Sequence, residues 1–301
     1  MPLFKKLVPN VRGKLLSNAN MSASSWFKVG GPFELLFIPE DELDLLNFIK
    51  NLDNKIPIFV IGALSNTLIR DGGVKGIGIK LNEKFSNINV SNDFIEVGAS
   101  LLNMKFAKYA HKNNFSGYEF LSGIPGTIGG SIIMNAGCYG REMSDILYDV
   151  KIIDRIKGLD NIPAKNLKMS YRKTSINSES IIISAKFKYF KKNWDHKYKA
   201  SIKTERVGSQ PVNQLTGGST FKNPEGYKAW KLIEDAGCRG LSIGGAKISD
   251  MHTNFIINYN NATADDIESL GNIVRQKVYD QSGIKLEWEI RKIGFTNKEE
   301  L

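Results

Sequence analysis

The chain has 301 residues, 42% hydrophobic, 10% aromatic and 24% charged, a balance that excludes a disordered or fibrous protein. Lys+Arg exceed Asp+Glu by 41 − 31 = 10, which favours acidic partners, whether phosphates, carboxylates, anionic lipid or nucleic acid. Two cysteines, Cys138 and Cys238, and three scattered histidines, His111, His196 and His252, exclude a disulfide scaffold and a local metal motif. No metal is expected, and a cytoplasmic protein is.

Residues 1–25 read as an N-terminal extension. Charges break its apolar runs, and the h-region of a signal peptide is missing. No window reaches the roughly 18–20 apolar residues that a membrane helix needs. FELLFIP (33–39) predicts a strand closed by Pro39. Leu43, Leu46, Ile49 and Leu52 then recur at helical spacing, and IPIFVIG (56–62) reads as a buried strand. The turn GALSNTL (62–68) leads to short strands near 76–81, 87–90 and 93–98. A helix follows over 101–113, with Leu102, Phe106, Tyr109 and Ala110 on one side.

The stretch 117–140 is glycine-rich and almost uncharged, and strands are predicted at 149–154 and 181–190. The highly charged 191–209 predicts a surface helix bridging two domains. A glycine turn at 217–219, a helix at 227–236 and a strand at 254–259 come next. Thr263 caps a helix over 263–281, with Asp266 at its positive end, and IKLEWEIRKIG (284–294) closes the chain as a strand. The fold class is α+β in two lobes, about 20–190 and 200–295.

Five segments carry chemistry, although each alone also fits an ordinary turn, a solvated strand or a surface arginine. GALSNTL leaves backbone N–H groups able to converge on a phosphate. Gly62 permits close approach there, and Ser65, Asn66 and Thr67 offer hydrogen bonds. GIPGTIGG (123–130) matches neither the dinucleotide fingerprint nor a P-loop. With Asn135, Ala136 and Gly137 it still lets backbone lie flat against a large planar ligand.

GGSTFKNP (217–224) presents Ser219, Lys222 and Asn223 after two glycines, without the GxSxG of a hydrolase. The last strand alternates Ile284, Leu286, Trp288 and Ile290 with Lys285, Glu287, Glu289 and Arg291. Alternation alone does not separate Glu287 from Glu289. Arg172, beside Tyr171 in MSYRKTS, suits bidentate pairing of a carboxylate. Lysines are dense only over 186–203 and no reader motif appears, so nucleic acid is not an expected partner.

In order, WFKVGGPFELLFIP (26–39), VIGALSNTLI (60–69), GIPGTIGGSIIMNAGCYG (123–140), YRKTS (171–175), GGSTFKNP (217–224) and KLEWEIRKIG (285–294) closely resemble the UDP-N-acetylenolpyruvoylglucosamine reductase family. The likeness runs from about residue 20 to 295. It implies an FAD-binding domain of the PCMH/vanillyl-alcohol-oxidase type over 26–190 and a C-terminal α+β substrate-binding domain over 200–295. It further implies noncovalent FAD, NADPH as hydride donor, and a monomer that turns UDP-N-acetylglucosamine enolpyruvate into UDP-N-acetylmuramate for peptidoglycan. Neither nucleic acid nor membrane is implied as a partner.

By the same resemblance Ser219 donates a proton, while Arg172 and Glu289 polarise the substrate carboxylate. Asn223, with Lys222 beside it, meets the nucleotide portion of the substrate. Gly62, Ala63, Leu64, Ser65, Asn66 and Thr67 would hold FAD, together with Gly123, Ile124, Pro125, Gly126, Thr127, Gly129, Gly130, Asn135, Ala136 and Gly137. The short link after Arg172 is similar to the shorter subgroup, which lacks a tyrosine-bearing loop, and Trp288 stands where proline is common. The competing expectations are an FAD-dependent alcohol oxidase of the same fold and a colourless, basic nucleotide- or nucleic-acid-binding module.

Overall fold

The computed structural model describes residues 8–190 and 193–296. Packing gathers them into two units, each assembled from separate stretches of chain. The first takes the described residues up to Ala19, then Glu34–Ala63 and Gly76–Thr204. The second takes Asn20–Phe33, Leu64–Lys75 and the described residues from Glu205 on. The expected domains, by contrast, were contiguous. Segments 26–33 and 64–75 fall in the second unit because Phe27, Val29 and Leu68 bury there with Ile256, Leu270, Leu286 and Ile290.

Two sheets build the first unit. One is antiparallel, in the order Gly158–Pro163, Leu147–Asp154, Ile181–Lys188, Phe94–Gly98 and Ile88–Val90. The other, in the order Lys14–Asn20, Pro32–Ile38, Val74–Lys80 and Ile58–Ile61, reaches the unit boundary at the ends of three strands. The expected extension 1–25 thus supplies an edge strand, while residues 1–7 lie outside the described residues.

The helix Glu42–Asn51 explains how that edge is anchored. Asp41 caps it by accepting from the Asp44 amide at 3.0 Å. The buried Asp44 carboxylate accepts from the amides of Arg12, Gly13 and Glu40, each at 2.9 Å. Turning Asp44 inward sets the helical register, so Leu45, Phe48 and Ile49 are buried while Leu43 is 60% exposed. Of the predicted stripe, Leu43 alone faces outward for that reason, whereas Ile49 and Leu52 are buried as expected and Leu46 packs partly buried against them.

The glycine-rich stretch is more regular than a loop. It holds a 3-10 turn at Glu119–Gly123, a helix at Ile128–Ile133 and a two-stranded pairing of Gly137–Cys138 with Arg141–Glu142. The charged helix is observed as His196–Ser209, and it contains the break between the units. Residues 191–192 of the predicted helix lie outside the described residues.

The second unit packs a small antiparallel sheet, Leu215–Thr216, Ile256–Asn258, Ala246–Ile248 and Ser242–Ile243, against the helix Ala264–Ser282. Thr263 is the expected N-cap, and Asp266 makes the cap reciprocal, each side chain accepting from the other's amide at 3.0 Å. Asp71 reinforces that end by accepting from the amides of Ala264 and Asp265. Gly283, at φ +70°, ends the helix where a left-handed residue is required. Beside it Thr67–Ile69 and Arg291–Ile293 pair in parallel. Arg70 forks onto Glu268 at 2.8 and 2.9 Å, and Lys292 reaches the same carboxylate at 2.8 Å.

Candidate active site

In the first unit, Gly62 faces Thr127 so closely that a Cβ there would lie 2.9 Å from Thr127 Oγ1. The same hydroxyl caps the helix Ile128–Ile133, accepting from the Gly130 amide. The amides of Ile128 and Gly129 donate to Leu101 and Ala99, both at 2.9 Å, so this glycine run is pinned against the chain beneath it. Gly126, at φ +122°, makes the sharp bend that precedes the helix. Segments 62–63 and 123–130 are therefore brought together, with Gly62 packed against Thr127 too closely for any side chain. The 62–67 turn itself crosses the unit boundary after Ala63.

Arg172 belongs to the same unit. It sits at φ +57° in a tight turn where Ser170 and Lys173 exchange two 3.0 Å backbone bonds. Its Nη2 donates to the Gly137 carbonyl at 3.2 Å, and the guanidinium lies 4.8 Å from the Tyr171 ring centroid. Asn135, fully buried at φ +40°, holds the turn from below: its Nδ2 donates to Ser170 O at 3.1 Å and its Oδ1 accepts from the Ser144 amide at 3.0 Å. Both ends of the Asn135 carboxamide are thus engaged within the protein, which leaves its backbone for the cofactor role that the resemblance implies.

In the second unit, Ser219 follows two glycines with different tasks. Gly217 lies against Phe27, where a Cβ would come within 2.4 Å of the ring, and Gly218 adopts φ +83°. The residues after Ser219 run beside the last segment of the chain. The Glu289 amide donates to Thr220 O at 2.8 Å, the Lys222 amide donates to Glu287 O at 2.9 Å, and Phe221 bridges Trp288. Asn66 joins from the other side, its Nδ2 donating to Glu289 O at 3.1 Å and its carbonyl accepting from the Arg291 amide at 3.0 Å. Asn66, Glu289 and Thr220, the residue after Ser219, thus come together from three distant stretches of sequence.

Only Arg291–Ile293 of the predicted final strand is regular, because upstream residues pair with the 220–222 turn rather than with a full strand. Burial still alternates: Leu286 and Ile290 are buried, whereas Lys285, Glu287 and Arg291 are exposed. Glu289 is half-buried and Glu287 exposed, its carboxylate paired with Lys222 Nζ at 3.2 Å. Lys222 is therefore engaged with the neighbouring segment. Asn223 Oδ1 accepts from the Ala229 amide at 2.9 Å, which fixes the start of the helix Ala229–Asp235.

Comparison with known proteins decides the family. A description of the UDP-N-acetylenolpyruvoylglucosamine reductase C-terminal domain matches residues 210–293, and one of an FAD binding domain matches residues 33–158. A reductase of that name from Rickettsia bellii (strain RML369-C) is 46% identical over 290 residues, covering 95% of this chain and 96% of the relative. Another from Bradyrhizobium sp. (strain ORS 278) is 43% identical over 296 residues, covering 97% and 96%. The chain belongs to the UDP-N-acetylenolpyruvoylglucosamine reductase family.

The crystal structure of the reductase from Thermus caldophilus superposes with a TM-score of 0.80 at 29% identity, covering 95% of this chain and all of that one. The protein is accordingly a flavin-dependent oxidoreductase of peptidoglycan synthesis, in a family that uses FAD and NADPH. Its fold is the α+β pairing of an FAD-binding domain with the reductase C-terminal domain. Among the described residues no helix is long and apolar enough to cross a membrane.

Sequence reasoning missed Asn254, which carries three of the hydrogen bonds around Thr220 and Phe221. A single asparagine heading an apolar run gives no sequence signal of that kind. It also missed the role of Asn135 beneath Arg172, for which the adjoining glycines gave a competing explanation.

Proposed function

We propose that this reductase converts the enolpyruvyl ether of its UDP-sugar substrate to the lactyl ether of UDP-N-acetylmuramate, with NADPH as hydride donor, acting as a cytoplasmic monomer. The FAD-binding domain is 26–190 and the substrate-binding domain 200–295, with strands and turns exchanged as described. Gly62, Ala63, Leu64, Ser65, Asn66 and Thr67, with Gly123–Thr127, Gly129, Gly130, Asn135, Ala136 and Gly137, would hold FAD through backbone and small side chains. When bound, FAD would supply the two-electron carrier between NADPH and the enolpyruvyl double bond, with N5 as its hydride-donating atom.

Hydride addition to the terminal carbon leaves negative charge on the adjacent carbon and its carboxylate. Ser219 gives its hydroxyl proton to that carbon, and solvent restores the serine. Arg172 offers a planar pair of donors to the substrate carboxylate while charge accumulates there. Glu289 acts with Arg172 in polarising the substrate carboxylate and stabilising the enolic intermediate. Asn223 and Lys222 contact the nucleotide portion.

The observation that supports this reading best is the 2.8 Å bond from the Glu289 amide to Thr220 O, which ties the neighbour of Ser219 to the acid. The test is rapid mixing of the holoenzyme in two half-reactions. Ser219→Ala should leave flavin reduction by NADPH intact and slow reoxidation by the enolpyruvyl substrate by orders of magnitude. Equal losses in both halves would reject the proton-donor role.

A further inference from the structure

The serine turn is fixed on one edge by the final segment of the chain, as described. Its opposite edge meets residues 254–256, and there one side chain does the work of a strand. The Thr220 amide donates to Asn254 O at 2.7 Å. The Phe221 amide donates to Asn254 Oδ1 at 2.9 Å, and Asn254 Nδ2 donates back to Phe221 O at 2.8 Å. Ile256 adds a bond from its amide to Thr220 Oγ1 at 3.1 Å. Asn254 is 4% exposed, and Thr220 and Phe221 are 1% exposed. A primary amide has the donor and acceptor pattern of a peptide, so this pair mimics a two-bond ladder step.

Upstream, Gly217 packs against Phe27 after the paired Leu215–Thr216, but Gly218, at φ +83°, is a free pivot directly before Ser219. The setting of the hydroxyl beyond that pivot is therefore inherited from Thr220 and Phe221. We propose that Asn254 is a positioning residue for proton delivery: it locks residues 220–221 so that the Ser219 hydroxyl is held where the substrate carbanion forms. This rests on the reading of Ser219 as proton donor. Proton transfer to carbon tolerates little misplacement, and a shift of about 1 Å costs roughly 100-fold in rate.

The test uses full-length holoenzyme carrying Asn254→Asp and Asn254→Ala, each alone and combined with Ser219→Ala. Asn254→Asp is nearly isosteric. It keeps an acceptor for the Phe221 amide but sets oxygen against the Phe221 carbonyl, so it serves if the alanine variant does not fold. The expected result is reoxidation by the enolpyruvyl substrate slowed about 100-fold, with flavin reduction by NADPH within about twofold of the parent. In the Ser219→Ala background the same substitution should change reoxidation by no more than about twofold. Losses that multiply in the double variant, or that strike both half-reactions equally, overturn the role of Asn254. A Ser219→Ala enzyme that reoxidises at the parent rate instead overturns the proton-donor reading itself.

Discussion

Gly271 and Trp288 fill one space: a Cβ on Gly271 would lie 2.2 Å from Trp288 Cη2 and 2.4 Å from Cζ2. The indole is further enclosed by Phe221, with ring centroids 5.1 Å apart, and by Lys292 Nζ at 4.5 Å from its own centroid. The tryptophan where the family commonly has proline thus packs beneath the backbone that carries Glu289, and a glycine inside the helix Ala264–Ser282 makes it possible. Replacing a mid-helix glycine by alanine ordinarily stabilises by about 1 kcal/mol. Here Gly271→Ala is expected to destabilise by about 1–3 kcal/mol, and Trp288→Leu to relieve most of that loss. Thermal unfolding of the two single variants and the double checks the coupling.

The Glu268 carboxyl predicts an acid limb of stability. Hydrogen bonds from Arg70, then Lys292, hold it at about 2 against an ordinary value of 4.5, although burial opposes the shift. A carboxylate with a depressed pKa contributes stability that is complete above its unfolded value. The contribution, on the order of 2–3 kcal/mol, disappears as pH falls from about 4.5 toward 2. Glu268→Gln should lower the melting temperature at neutral pH, with the gap from the parent closing over that window. A gap that stays constant down to the lower limit would show that the ion pairs contribute nothing through ionisation.

Arg172→Lys keeps the charge and loses the planar fork. Substrate reoxidation of the flavin should slow by about 100-fold, the range seen when one well-placed donor is removed from a developing charge. NADPH reduction should be unchanged. Stopped-flow traces of both halves decide this, and an unaffected reoxidation rate removes Arg172 from the chemistry.

Gly62→Ala places a methyl group against Thr127 Oγ1. FAD affinity should fall by about tenfold or more, equivalent to roughly 1.4 kcal/mol. Flavin fluorescence on titrating apoprotein measures it, and unaltered affinity would take Gly62 out of the cofactor cradle.

Legibility in the sequence followed locality. The helix Ala264–Ser282 could be read because Thr263, Asp266 and its apolar positions act within a few residues of one another. Leu43 misled because the register of its helix depends on Asp44 bonding to Arg12 and Gly13, some thirty positions away. The Ser219, Arg172 and Glu289 motifs stood out by family resemblance, and alternation alone did not choose between the two glutamates. Asn254 and Asn135 were opaque because their importance lies in which distant carbonyl and amide they meet.

The interleaving of the second unit limits how it can be cut. A fragment starting at Glu205 would lose Phe27, Val29 and Leu68 from its interior, the parallel partner of Arg291–Ile293, and the Asp71 carboxylate at the head of its longest helix. Such a truncation exposes apolar surface and an unpaired strand edge together, the combination that drives aggregation. Any miniaturised version of this unit must therefore be spliced, with 20–33 and 64–75 grafted back, rather than trimmed from the C-terminal half.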